Sequence, residues 1–256
     1  MNLNFFDGRQ TGGGVSAAVL AVALIHGSCL AAEPRVLVLN ESNAPPFSNA
    51  QRTGFYDVVV GEAFRRAGLG LRIATPPVER ALLLSDSGAA DGELNRNSAV
   101  EKQFANLVRV PEALGEMRFV AFSRDRSIPG NFEALRERRT GYVRGWKIYE
   151  QALAGRQNVV AANDAAQLFR LLLLGRIDVA LYERDMGGAY LKAQAISAVH
   201  VLAPALFIRD QFIYLHKRHA ALAAPVADAL RAMKRDGTYQ RAYRERLLPH
   251  IDEGAR

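Results

Sequence analysis

From Arg35 onward, short β-prone runs alternate with stretches of helical periodicity, and this alternation restricts the fold more than any other feature of the chain. Arg35–Asn40, Leu71–Ala74 and Ala90–Leu94 read as strands. Between them, Asp57–Ala67, with Val60, Phe64 and Ala67 on one face, and Pro77–Leu84 read as helices. Strands separated by helices at this spacing predict a parallel sheet with helical crossovers. Met117–Phe122 then carries the chain into a second round of the same plan. Helices are expected over Asn131–Glu137, Trp146–Ala154 and Ala165–Leu174, and strands over Thr140–Val143, Val159–Ala161 and Ile177–Tyr182. Val199–Leu202 and Phe207–Leu215 read as return strands. Helices over Ala221–Lys234 and Tyr239–Leu247 close the chain, with Gly237 as the stop between them. The 256 residues suffice for one large domain or two lobes of ordinary size.

Ahead of this pattern, Val15–Leu24 is a short apolar run followed by small residues, as in a secretory signal, and it is too short to span a membrane. Cleavage after Ala32 leaves 256 − 32 = 224 residues and removes Cys29, the single cysteine. The rival reading keeps Cys29 as a lipid anchor, but His26-Gly27-Ser28 lacks the usual leucine three positions upstream, so the soluble form is preferred. The exported chain then has no disulfide, thiol nucleophile or cysteine metal site.

The net charge of +7 suits an acidic ligand or an anionic surface. The arginines are dispersed and no basic patch is interleaved with aromatics, which argues against nucleic-acid binding. The five histidines show no metal-ligand spacing, and neither a metal nor a cofactor is expected. In open α/β sheets ligands bind beyond the carboxyl ends of the strands. Asn43, Phe47, Glu93 and Arg96 all lie just after a strand, which makes them candidates. For Phe47 the alternative is packing under the Pro45-Pro46 loop; for Arg96 it is an ion pair with Glu93 or Glu101.

Several segments resemble the family 3 extracellular solute-binding proteins, the substrate receptors of ABC importers for amino acids and related polar solutes. They are Pro45-Pro46-Phe47, Gly54-Phe55-Tyr56-Asp57, Ala90-Asp91-Gly92, Gly141-Tyr142-Val143-Arg144-Gly145, Leu174-Gly175-Arg176-Ile177-Asp178-Val179-Ala180 and Asp236-Gly237-Thr238-Tyr239. Their order covers nearly all of the exported chain. The resemblance implies a two-lobe α/β clamp of the type II periplasmic-binding fold, each lobe a mostly parallel sheet flanked by helices, joined by a two-strand hinge. Lobe 1 is expected from 33–118 plus 203–256, and lobe 2 from 119–202.

The resemblance also implies roles. Phe47 takes the place of an aromatic that stacks on the ligand, and Glu183 that of an acid receiving its amino group. Arg80 lies near a helix start facing the cleft. Arg144 and Trp146 flank a strand-to-helix turn whose free N–H groups favour an anion. The family's Thr-x-x-Arg carboxylate clamp is absent: the segment reads Asn97-Ser98-Ala99-Val100-Glu101-Lys102, leaving Arg96 to hold a carboxylate from a shifted position. Glu183 could instead bridge to Arg184 or Arg176, Trp146 could simply pack, and Arg80 could be a surface residue. The expected function is a non-enzymatic, monomeric periplasmic receptor delivering a small polar, carboxylate-bearing solute to an ABC permease in the membrane. Two alternatives stand beside it: a dehydratase acting on cyclic carboxylic acids, with Glu93 or Glu183 as general acid, and a sensory binding protein for a membrane receptor.

Overall fold

The structure is a computed structural model that describes residues 35–42 and 44–250. The expected signal segment with Cys29, and Asn43, lie outside the described residues. β1 (Val36–Asn40) buries Leu37 and Leu39 and pairs in parallel with β2 (Gly70–Ala74) on one side and β3 (Gly92–Arg96) on the other. The crossover helix α1 (Phe55–Arg66) buries Val59, Val60, Ala63 and Phe64, a single stripe at helical spacing. Asp57 secures its start: the carboxylate accepts from Ser48 Oγ at 2.7 Å and from the N–H groups of Asn49 at 3.0 Å and Gly54 at 3.1 Å. Those donors, at the positive end of the helix, would otherwise lack partners. α2 (Val78–Asp86) leads into β3. A Cβ at Gly92 would lie 2.0 Å from the Tyr214 carbonyl oxygen, so only glycine lets β3 approach its neighbour.

After β4 (Leu107–Arg109), β5 (Gly115–Ser123) opens the second round. There β6 (Thr140–Val143) pairs in parallel with β7 (Val159–Ala162) and β8 (Val179–Glu183). The helices of this half are α3 (Lys147–Ala152), α4 (Ala165–Leu173) and α5 (Arg184–Ala193). The 17-residue β9 (His200–His216) runs antiparallel to β5 over most of its length, and its last residues pair with β3 and β4. α6 (Ala223–Arg235) then packs on α1, and α7 (Thr238–Ala242) follows. The full strand order is β2-β1-β3-β9-β5-β8-β6-β7, with β4 beside β9. This is the expected two-lobe α/β plan, with β5 and β9 as the two strands shared between the parallel halves.

Besides the short β4, for which no strand was expected, three segments depart from the sequence expectation. Asn131–Glu137 forms turns rather than a helix: only Leu135 is buried there, too little to offset nucleation of so short a helix. The two return strands are one strand, because Pro204 falls in a bulge where the register with β5 shifts between Phe119 and Ala121. A proline lacking an N–H is accommodated at such a position. Helix α5 is additional. Gly187 and Gly188 hide its periodicity, and Gly187 lets it approach the sheet, since a Cβ there would sit 2.3 Å from the Phe122 ring.

Candidate functional site: a cleft between the two halves

A buried polar chain sets the position of Arg96. Asn40 Nδ2 donates to Ser85 Oγ at 2.9 Å and to the Ala81 carbonyl at 3.0 Å, tying β1 to α2. Ser85 Oγ donates in turn to Glu93 Oε1 at 2.6 Å. Glu93 is 0% exposed, and a carboxylate so placed needs a compensating cation. Arg96 supplies it: Nε and Nη2 both lie 2.7 Å from Glu93 Oε2. The guanidinium is the more accessible partner, with 17% of its side chain exposed at the edge of a cleft.

That cleft encloses about 780 Å³. Its floor comes from alternate residues of the two shared strands: Met117 and Phe119 from β5, and Phe207, Arg209 and Gln211 from β9. Period-2 geometry sends these side chains to one face. Asn95, Arg96 and the following turn with Val100, Gln103 and Phe104 form one wall, joined by Leu82 and Leu83 of α2. The facing wall is Trp146, Lys147, Ile148 and Gln151.

Trp146 is held by aromatic contacts. It stacks on Tyr182 with ring centroids 4.7 Å apart and meets Phe119 edge-on at 6.0 Å. Tyr149, one helical turn on, donates its buried hydroxyl to the Tyr182 carbonyl at 2.7 Å and so ties α3 to β8. Tyr149→Phe is expected to cost about 1–2 kcal/mol, the ordinary consequence of an unpaired buried acceptor, read as a lower urea midpoint with unchanged slope. No change in midpoint would show that the hydroxyl does not anchor this wall.

Of the sequence candidates, Arg96 and Trp146 line the cleft. Phe47 is 1% exposed and stacks on Tyr56 at 4.8 Å, beside a second cavity of about 370 Å³ that also meets Arg184 and Tyr239. Glu93 lies behind Arg96. Arg80 and Arg144 are exposed and outside the cleft lining. The N–H groups expected to favour an anion at the Arg144-Gly145-Trp146 turn are engaged: that of Gly145 donates to Glu150 Oε1 at 2.9 Å, and that of Trp146 to the Val143 carbonyl at 3.2 Å.

Glu183 is fully buried at the start of α5, where it accepts from the Met186 N–H at 2.8 Å. Burial, with a smaller contribution from the Asp185 charge, pushes its carboxyl up to about 8. Neither Glu183 nor any other carboxylate is part of the described cleft lining. Sequence reasoning missed Asn95, Gln103, Arg209 and Gln211. For the residues of β9 the available signal was alternation along the strand, which does not say which face is open. Among the described residues, no group of three or more His, Cys, Asp or Glu side chains could hold a metal, and no helix is long and apolar enough to cross a membrane.

No protein-family model matches the chain. An uncharacterised protein of Shewanella oneidensis is 25% identical over 207 residues, 78% of each chain. Among solved structures, a mutant of ArgBP from T. maritima superposes with a TM-score of 0.70 at 18% identity, covering 82% of this chain and 94% of that one. The substrate-binding protein of an amino acid ABC transporter gives 0.66 at 19% identity, covering 82% and 98%. These likenesses cover 78–82% of this chain. The chain has the type II periplasmic-binding fold.

Proposed function

We propose that this chain is a periplasmic receptor that captures a small, carboxylate-bearing solute in the cleft and delivers it to an ABC permease. The observation that carries this reading is the cleft itself: about 780 Å³, walled by both parallel halves and floored by the two strands they share. In this reading residues 33–118 with 203–256 form one lobe and 119–202 the other, the export signal is removed after Ala32, and the receptor acts as a monomer. Both lobe boundaries then fall inside β5 and β9, and bending of those strands closes the cleft over its ligand, shifting an open–closed equilibrium. Support for a binding role also comes from structural neighbours titled as binding proteins. The described lining offers a bound solute apolar walls and cations but no carboxylate placed to act as a general acid, which favours binding over turnover.

Trp146 is the only tryptophan and lies in the cleft wall, so its fluorescence reports occupancy directly. Titration with a library of amino acids, polyamines, small carboxylic acids and sugars is expected to give a saturable change for at least one solute, with a matching rise in melting temperature. The solute should be recovered unchanged. Silence across the library in both readouts would remove the receptor reading, and chemical conversion of the solute would replace it with an enzyme.

A further inference from the structure

Three cations, Arg96, Lys147 and Arg209, line the cleft, and their charge balance is uneven. Arg96 is matched by Glu93 at 2.7 Å, and Lys147 Nζ lies 2.7 Å from Glu150 Oε2. Arg209 makes no ion pair with a carboxylate among the described residues. Its Nη1 donates to the Ile208 carbonyl at 2.8 Å, and its guanidinium lies 5.2 Å from the Phe207 ring centroid. The lining therefore carries about one unmatched positive charge.

An ammonium group entering this space would meet Arg209 and no carboxylate of the described lining. Of the acidic residues singled out in the sequence, Glu93 is held by Arg96 and Ser85, and Glu183 is buried and absent from the described lining. Asn95 Oδ1 is buried without a hydrogen-bond partner among the described residues, yet an amide oxygen offers a hydrogen bond and no countercharge. Stripping an ammonium of water without a countercharge is costly. Much of the remaining surface is apolar and partly flat, from Leu82, Phe104, Met117, Phe119, Trp146 and Phe207, and its polar members, such as Gln103, Gln151 and Gln211, are uncharged.

Resting on the receptor reading above, we infer that the cleft selects a monocarboxylate with an apolar body and no amino group, over the α-amino acid of the same shape. Arg209 supplies the unmatched charge for the carboxylate, and Phe119, Trp146 and Phe207 cover the body.

The test is isothermal titration of the purified full-length protein with matched pairs: 3-phenylpropanoate against L-phenylalanine, 3-(indol-3-yl)propanoate against L-tryptophan, and 4-methylpentanoate against L-leucine. The deaminated member of at least one pair is expected to bind about tenfold or more tighter than its amino acid. Arg209→Met is expected to weaken that member by a similar factor while the melting temperature of the free protein stays unchanged. An amino acid that binds as tightly as its deaminated partner, or tighter, overturns the inference and leaves the receptor reading standing. So does silence of all six probes when another solute of the wider library binds. Silence of every solute removes both.

Discussion

Arg96→Ala is expected to destabilise the protein by about 3–5 kcal/mol, the range for stripping one partner from a buried ion pair. Glu93 explains the size of the effect. With 1% of its side chain exposed, it would keep only the Ser85 hydroxyl as a partner. It must then hold an uncompensated charge or take up a proton, and either outcome weakens the fold at neutral pH. The reverse change, Glu93→Gln, should cost less, because the orphaned guanidinium already reaches the cleft and its water, whereas the orphaned carboxylate does not. Combining the two as Glu93→Gln with Arg96→Ala should recover much of the loss seen for Arg96→Ala alone. Urea unfolding of the three variants reads this ordering. Equal losses for the two single changes, with simple addition in the double, would show that Glu93 and Arg96 do not act as a pair. Loss of carboxylate binding in the Arg96→Ala variant is expected too, since the wall it belongs to is built on that pair.

Stability is expected to fall by a few kcal/mol as the pH rises from about 4.5 to about 8, through the single carboxyl of Glu183. In the unfolded chain this group releases its proton near 4.5, whereas burial in the folded protein raises it to about 8. Between those values the folded state binds the proton that the unfolded state has lost. Raising the pH therefore favours unfolding until the folded group also ionises, after which the curve levels. His200 and His216 are held below the ordinary histidine value by desolvation and act in the opposite sense over part of this window. The difference between wild type and Glu183→Gln isolates the glutamate. The amide oxygen of the substituted side chain can still accept from the Met186 N–H, so the start of α5 is retained. Urea midpoints measured at pH 5, 7 and 8.5 should converge for the two proteins at the acid end and separate in favour of the variant at the alkaline end. Parallel curves would mean that Glu183 titrates as an ordinary exposed carboxyl.

The parts of this protein legible in its sequence are those controlled by local periodicity. Leu37 and Leu39 alternating in β1, the 59/60/63/64 stripe of α1 and the apolar run of β8 each place a hydrophobic face on the core through residues a few positions apart. That was enough to give the two rounds of α/β structure, while the two-lobe clamp came from the resemblance of the motifs between them. Where the local signal was mixed, as in the glycine-containing α5 or the charged Asn131–Glu137 segment, packing decided the outcome. The site was less legible. Arg96 and Trp146 were found because they follow strands, but a position after a strand does not say which way a side chain turns. Phe47 turned inward onto Tyr56, and Glu183 turned under the helix that it caps.

Arg209 shows the same limit from the other side. Its place in the cleft depends on β9 pairing with β5, a strand roughly ninety residues earlier, in a register that brings Met117 opposite Arg209. Its lack of a carboxylate partner depends on every neighbour that this pairing brings near. The sequence by itself determined which segments become strands and helices, because burial periodicity acts over a single turn or pleat. Only the tertiary structure decided which charges meet, because Coulombic pairing and desolvation act between residues distant in the chain and are set by the space that folding leaves between them.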